Sequence, residues 1–186
     1  MIFGEVYRNA GEWKFKAVGQ GYSGGLYALC MQHGVNIGWF LDWTFWFYKW
    51  SSNMAISLQK GGNVNLSKEA PTMTKMVVGL GWDTRATDGA AFDLDAVGFV
   101  LNNAGKVRAD GDFIFFNNKQ NAEGSVVHGG DNRTGAGDGD DETIIIDLSK
   151  MPADVEKVAV CVVIYDAEGR KQNFGQVSRA YVRILN

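Results

Sequence analysis

Cysteine is scarce in this 186-residue chain: Cys30 and Cys161 are the only two, each inside an apolar run (ALCMQ and VAVCVVIY). Neither belongs to a CxxC pair, and a single histidine, His33 near Cys30, falls short of a ligand set, which counts against a thiolate zinc site and a spacing-readable redox motif. Both are expected to be small buried hydrophobes in a reducing compartment. Histidine is as rare, with only His33 and His128, so an imidazole-rich metal site is excluded too. Basic charge is in deficit: 18 Lys and Arg against 21 Asp and Glu give a net charge of -3. No broad positive field exists to hold nucleic acid or an anionic membrane. No apolar run approaches the roughly 20 residues that span a bilayer, and the opening MIFGEVYRNAGEWKFKAV lacks a signal-peptide core. A cytoplasmic protein is the expectation, so the glycosylation patterns at Asn65 and Asn132 carry no weight.

What is present is strand signal. The chain suffices for one domain with a proper core and is short for two, and its 46% hydrophobic content is that of a globular protein. β-branched or aromatic runs separated by Gly, Asn and Asp predict strands over 11–22, 75–82, 92–103, 112–118, 124–128, 143–149, 155–167 and 178–186. Only GGLYALCMQHGV (24–35) suggests a helix, with Leu26, Leu29 and Cys30 on one side. The pattern predicts a mainly β fold, a β-sandwich of two sheets with a few short helices, its functional groups on loops at the sheet ends. GWFLDWTFWFYKW (38–50) stands apart, holding four of the six tryptophans. It reads as a membrane-surface helix, a buried packing element or a non-native linker; apolar residues on every face count against the first.

Negative charge gathers in two stretches. GDNRTGAGDGDDE (130–142) brings Asp131, Asp138, Asp140, Asp141 and Glu142 into a loop with four glycines and a single arginine. GWDTRATDGAAFDLDA (81–96) adds Asp83, Asp88, Asp93 and Asp95. In an extended strand Asp93 and Asp95 share a face, opposite Phe92 and Leu94, which is a poor core pattern but a natural ligand pair. Asp166, ending the apolar run VVIYD, is a third contributor. Solubilising turns are the bland reading for one such loop; converging groups favour a hard cation, since calcium takes six to eight oxygens from carboxylates and carbonyls. The loop is no EF-hand, because Arg133, Gly135 and Ala136 occupy positions where that motif needs ligands and a glycine.

VGLGWDTRATDGAAFDLDA, GKVRADGDFIFFNN, GSVVHGGDNRTGAGDGDDE and IYDAEGRKQNFGQVSRAYVRI closely resemble the TerD family of tellurium-resistance proteins. The resemblance covers 54–186 almost continuously. It implies a cytoplasmic calcium-binding β-sandwich of the tellurite and chemical stress-resistance type, with no established enzymatic activity. By motif matching, the implied metal-site residues are Asp83, Asp93, Asp95, Asp131, Asn132, Asp138, Asp140, Asp141, Glu142 and Asp166. Implied partners are calcium and other tellurium-resistance proteins at the inner membrane surface, with no nucleic acid. Residues 4–37 resemble the family's C-terminal segment yet come first, so the order is permuted. The expected organisation is a tail segment 1–37, a Trp-rich non-native linker 38–53 and a body 54–186, together one sandwich. The first segment would pack on its own body or, as a domain swap, on that of a second copy. The acidic run that joins the two parts in the family is not found after Asn186, so weaker calcium binding or the loss of one of two sites is expected.

The reading that follows is a calcium-binding scaffold and not an enzyme. A hydrolase using Asp93 and Asp95 as acid and base is the first alternative, and it lacks a nucleophile beside a base. His128 has no Ser or Cys partner in its motif and is read instead as ending a strand and facing water. A calcium-dependent carbohydrate-binding module stacking a sugar on Trp82 is the second; Trp82 in GLGW is more simply core.

Overall fold

The computed structural model describes residues 1–21, 25–35, 60–83, 89–137, 139–177 and 180–186. It is mainly β, with two antiparallel sheets and little helix. β1 (Ile2–Asn9) and β2 (Glu12–Gln20) form a hairpin in which Asn9 pairs with Glu12. Its two turn residues, Ala10 and Gly11, have φ of 54° and 78°, the left-handed pair that matches the twist of a tight hairpin. α1 (Gly25–His33) follows, then β3 (Asn63–Asn65) and the single turn α2 (Leu66–Glu69), capped by Asn65 Oδ1 accepting from Lys68 N at 3.2 Å. The remaining strands are β4 (Lys75–Gly81), β5 (Leu94–Leu101), β6 (Phe113–Ile114), β7 (Val126–His128), β8 (Glu142–Asp147), β9 (Lys157–Ile164) and β10 (Tyr181–Leu185).

One sheet runs β3-β2-β1-β9-β5-β6 and the other β10-β4-β8-β7. The main core lies between them. Leu94, Ala96 and Val100 of β5 and Val158, Val160 and Val162 of β9 meet Met76, Val78 and Leu80 of β4 and Ile144 and Ile146 of β8. A second cluster occupies the outer face of the larger sheet, where Leu29 and Cys30 of α1 pack with Val97, Phe99, Leu101, Ala159 and Cys161. β5 is thus covered on both faces, which is why LDAVGFVL reads as a continuous apolar run with no clean alternation. The cysteines are buried as expected, and burial pushes their thiols up to about 11 for Cys30 and about 12 for Cys161.

The expected strands and helix map onto these elements with three differences. β1 and β3 lie outside the expected set. The run 112–118 is strand only at Phe113–Ile114; beyond it Phe115 and Asn118 close a tight turn, and Asn118 Nδ2 donates to Phe113 O at 2.6 Å. β1 pairs with β9, Val6 opposite Val158. The Trp-rich segment 38–53 lies outside the described residues. Among those described, no helix is long and apolar enough to cross a membrane.

Candidate metal centre

β6 covers only Gly98 and Phe99 of β5. On the side away from β9 this leaves the Ala96 amide and carbonyl without a strand partner, and side chains of the opposite sheet complete them. Ala96 N donates to Glu142 Oε2 at 2.6 Å, and His128 Nε2 donates to Ala96 O at 3.1 Å. Nδ1 of His128 accepts from Gly130 N at 3.3 Å, so the ring is neutral, and burial lowers its pKa to about 4. The expectation that His128 faces water is therefore corrected: it ends β7, but alternation along the strand turns it inward, and it is 3% exposed. Glu142 sits in step with Ile144 and Ile146 and is buried with them.

Beside this seam three carboxylates converge. Asp93 immediately precedes β5, Asp95 lies within it, and Asp131 belongs to the loop after β7; one oxygen from each lies within 4.8 Å of the others. Asp93 and Asp95 are each 4% exposed. Among the described residues no donor reaches the Asp95 carboxylate. Its pKa is raised to about 8, by burial first and then by the charges of Glu142, Asp93 and Asp131. Burial likewise lifts Glu142 to about 9, against the Ala96 hydrogen bond. Asp93 is also raised, by burial first, with Arg170 and Arg133 opposing. Arg170 Nη1 stands 3.5 Å and Arg133 Nε 3.9 Å from Asp93 Oδ2.

The other acidic residues have different placements. Asn132 and Asp141 build the loop that carries Asp131. Asn132 Oδ1 accepts from Thr134 N and Gly135 N, each at 3.1 Å, and its Nδ2 donates to Asp141 Oδ1 at 2.7 Å. Asp141 Oδ2 in turn accepts from Trp82 N at 2.8 Å. Gly135, at φ 68°, lies so close to the Trp82 ring that a Cβ there would stand 2.5 Å from it, so the loop is clamped to the tryptophan. Trp82 is 3% exposed and donates Nε1–H to Phe92 O at 3.1 Å, leaving no open face for a sugar ring. Asp140 Oδ1 accepts from Arg183 Nε of β10 at 2.8 Å. Asp83 and Asp166 are exposed, and Asp166 occupies a left-handed turn at φ 48°, outside the group of three converging carboxylates. Asp138 lies outside the described residues.

The donors that converge are all oxygens, and both His128 nitrogens are committed to backbone partners. Such a set fits a hard cation and not zinc or copper. In the sequence Arg133 shows only as the single base of an acidic loop, and nothing there turns His128 inward. Counting back by twos from Ile144 and Ile146 places Glu142 inside; nothing in the sequence marks Arg170.

The TerD domain model matches residues 1–33 and 54–186. The tellurium resistance protein TerD of Alcaligenes sp is 59% identical over 133 residues, 72% of this chain and 69% of that protein. Its namesake from Serratia marcescens is 58% identical over 133 residues with the same coverage. General stress protein 16U of Bacillus subtilis is 54% identical over 134 residues, 72% of this chain and 69% of its own length. The names of these relatives denote resistance or stress proteins. On the extent of the match and these identities, the chain belongs to the TerD domain family.

Proposed function

We propose that this TerD-family protein binds calcium through Asp93, Asp95 and Asp131 and acts as a binding or scaffold protein in the cytoplasmic response to tellurite and related stress. The observation that carries the reading is the Asp95 carboxylate, buried, without a donor among the described residues, and facing two further carboxylates. At such separations each pair of like charges costs about 3–4 kcal/mol at an effective dielectric of 20. Protons or a cation must therefore neutralise the group, and an all-oxygen set favours calcium. Calcium supplies positive charge and oxygen coordination there, with no redox chemistry. Asp95 lies in β5, Asp93 immediately before it and Asp131 in the loop after β7, so a shared ion would tie that loop to the larger sheet. A loop held in this way at the sheet end would offer a fixed surface to other proteins of the resistance system, including ones at the inner membrane surface. No nucleophile beside a base accompanies the carboxylates among the described residues, and the hydrolase alternative gains no support.

Isothermal titration calorimetry of metal-free protein tests the reading. Calcium binding is expected, weakened at least roughly tenfold by Asp95→Asn or Asp131→Asn, in line with altered metal shells. Equal affinity in wild type and Asp95→Asn would sink the assignment. Since Asp95 and Glu142 hold protons near neutrality, binding should also release protons and tighten as pH rises.

A further inference from the structure

Asp93 is approached by protein cations from two directions. Arg133 comes from the same loop as Asp131, and Arg170 from the turn that follows β9; both meet one oxygen, Oδ2, at 3.9 and 3.5 Å. Contacts this long are held by charge more than by aligned hydrogen bonds, unlike a bidentate guanidinium–carboxylate fork. Each arginine also has somewhere else to go. The Arg170 guanidinium lies 5.0 Å from the centre of the Tyr165 ring, which is 46% exposed, and the Arg133 side chain is 53% exposed. The two guanidiniums offset part of the negative charge of the three carboxylates, which makes the cluster less attractive to a divalent ion than the carboxylates alone.

We propose that Arg133 and Arg170 are internal counter-ions of Asp93 that a divalent cation must displace, so that the two arginines set the metal affinity of the centre. The proposal rests on the calcium reading above and deepens it. Two opposite consequences separate it from a bracing role. If the arginines only hold Asp93 in place, removing them loosens the centre and weakens metal binding. If they compete, removing them tightens it.

Calorimetric calcium titrations of wild type, Arg170→Gln, Arg133→Gln and the double variant decide the matter, with Arg170→Lys as the charge-keeping control. Each glutamine substitution should tighten calcium binding roughly two- to fivefold, the range of a partly exposed ion pair, and the double variant should exceed both. Arg170→Lys should stay near wild type. In wild-type protein the Nε–Hε resonances of both arginines should shift during a calcium titration followed by NMR, a response that a bracing role does not require. Unchanged or weakened binding in the glutamine variants, with wild-type binding intact, overturns the inference and leaves the calcium reading standing. No binding by wild type or by the double variant overturns both. Binding that appears only in the double variant supports the inference in its strongest form.

Discussion

At the scale of single residues the protons on Asp95 and Glu142 decide how the metal-free protein responds to pH. Unfolded, the two carboxyls titrate near about 3.9 and 4.3; folded, burial holds them at about 8 and about 9. The folded state therefore keeps protons that the unfolded chain has lost. The stability this confers is complete below the unfolded values and is lost as pH rises through 8 and 9. His128 works the other way: its folded value of about 4 lies below the ordinary one, so it costs stability as pH falls from about 6.5 towards 4. Melting temperature in chelator should thus fall between pH 6 and pH 9, more steeply above 6.5 where the histidine no longer offsets it, and saturating calcium should flatten the profile. A chelated profile already flat over that range would mean that both carboxyls are ionised in the fold. How much of this centre is legible follows from the same residues. Asp93 and Asp95 announce themselves by period-two spacing beside apolar neighbours. His128 does not, because a polar residue at a strand end is ambiguous until the opposite sheet supplies the Ala96 carbonyl.

Individual elements carry their own tests. The β1–β2 turn places Ala10 in left-handed backbone at φ 54°, where a Cβ costs about 1–2 kcal/mol. Ala10→Asn should stabilise the protein by about 0.5–1 kcal/mol, read as a raised urea midpoint with unchanged slope. The run after β5 gives the opposite case. Arg108 donates to Asp112 at 2.7 and 2.9 Å and also reaches Glu123 at 3.0 Å and Asp154 at 3.2 Å, while Asp112 is 4% exposed. Arg108→Ala strands a buried carboxylate and should cost about 3 kcal/mol in chemical denaturation. This network also explains why FIFF in 112–118 misleads as a strand. Its phenylalanines are apolar because Phe113 stacks on Phe99 and Phe115, with centroids 4.8 and 4.7 Å apart, while Asn118 bends the backbone away from the sheet. Most other strands were readable because composition and turn residues agreed. β3 was not, since NVN is too short to show a period.

For the molecule as a whole, an ion that binds only the folded state at a hundred times its dissociation constant adds about 2.7 kcal/mol. For a chain of this length that is a rise in melting temperature of roughly 5–10 °C. The rise should appear with calcium and be smaller with magnesium, and Asp131→Asn should cut it by about half or more; an equal rise with magnesium would indicate charge screening in place of a fitted site. The sandwich architecture was legible in the spacing of strands and turns. Its strand order was not, because pairing between distant segments leaves no local mark. That pairing has a consequence for how the protein is made. β1 lies between β2 and β9, and Val6 meets Val158. On the ribosome the hairpin emerges before β9, and the edge that belongs to β9 stays bare while the intervening chain is translated, on the order of ten to thirty seconds at typical rates. An open strand edge is a template for pairing with other chains. The newborn protein is therefore most in need of a chaperone in the interval before β9 arrives.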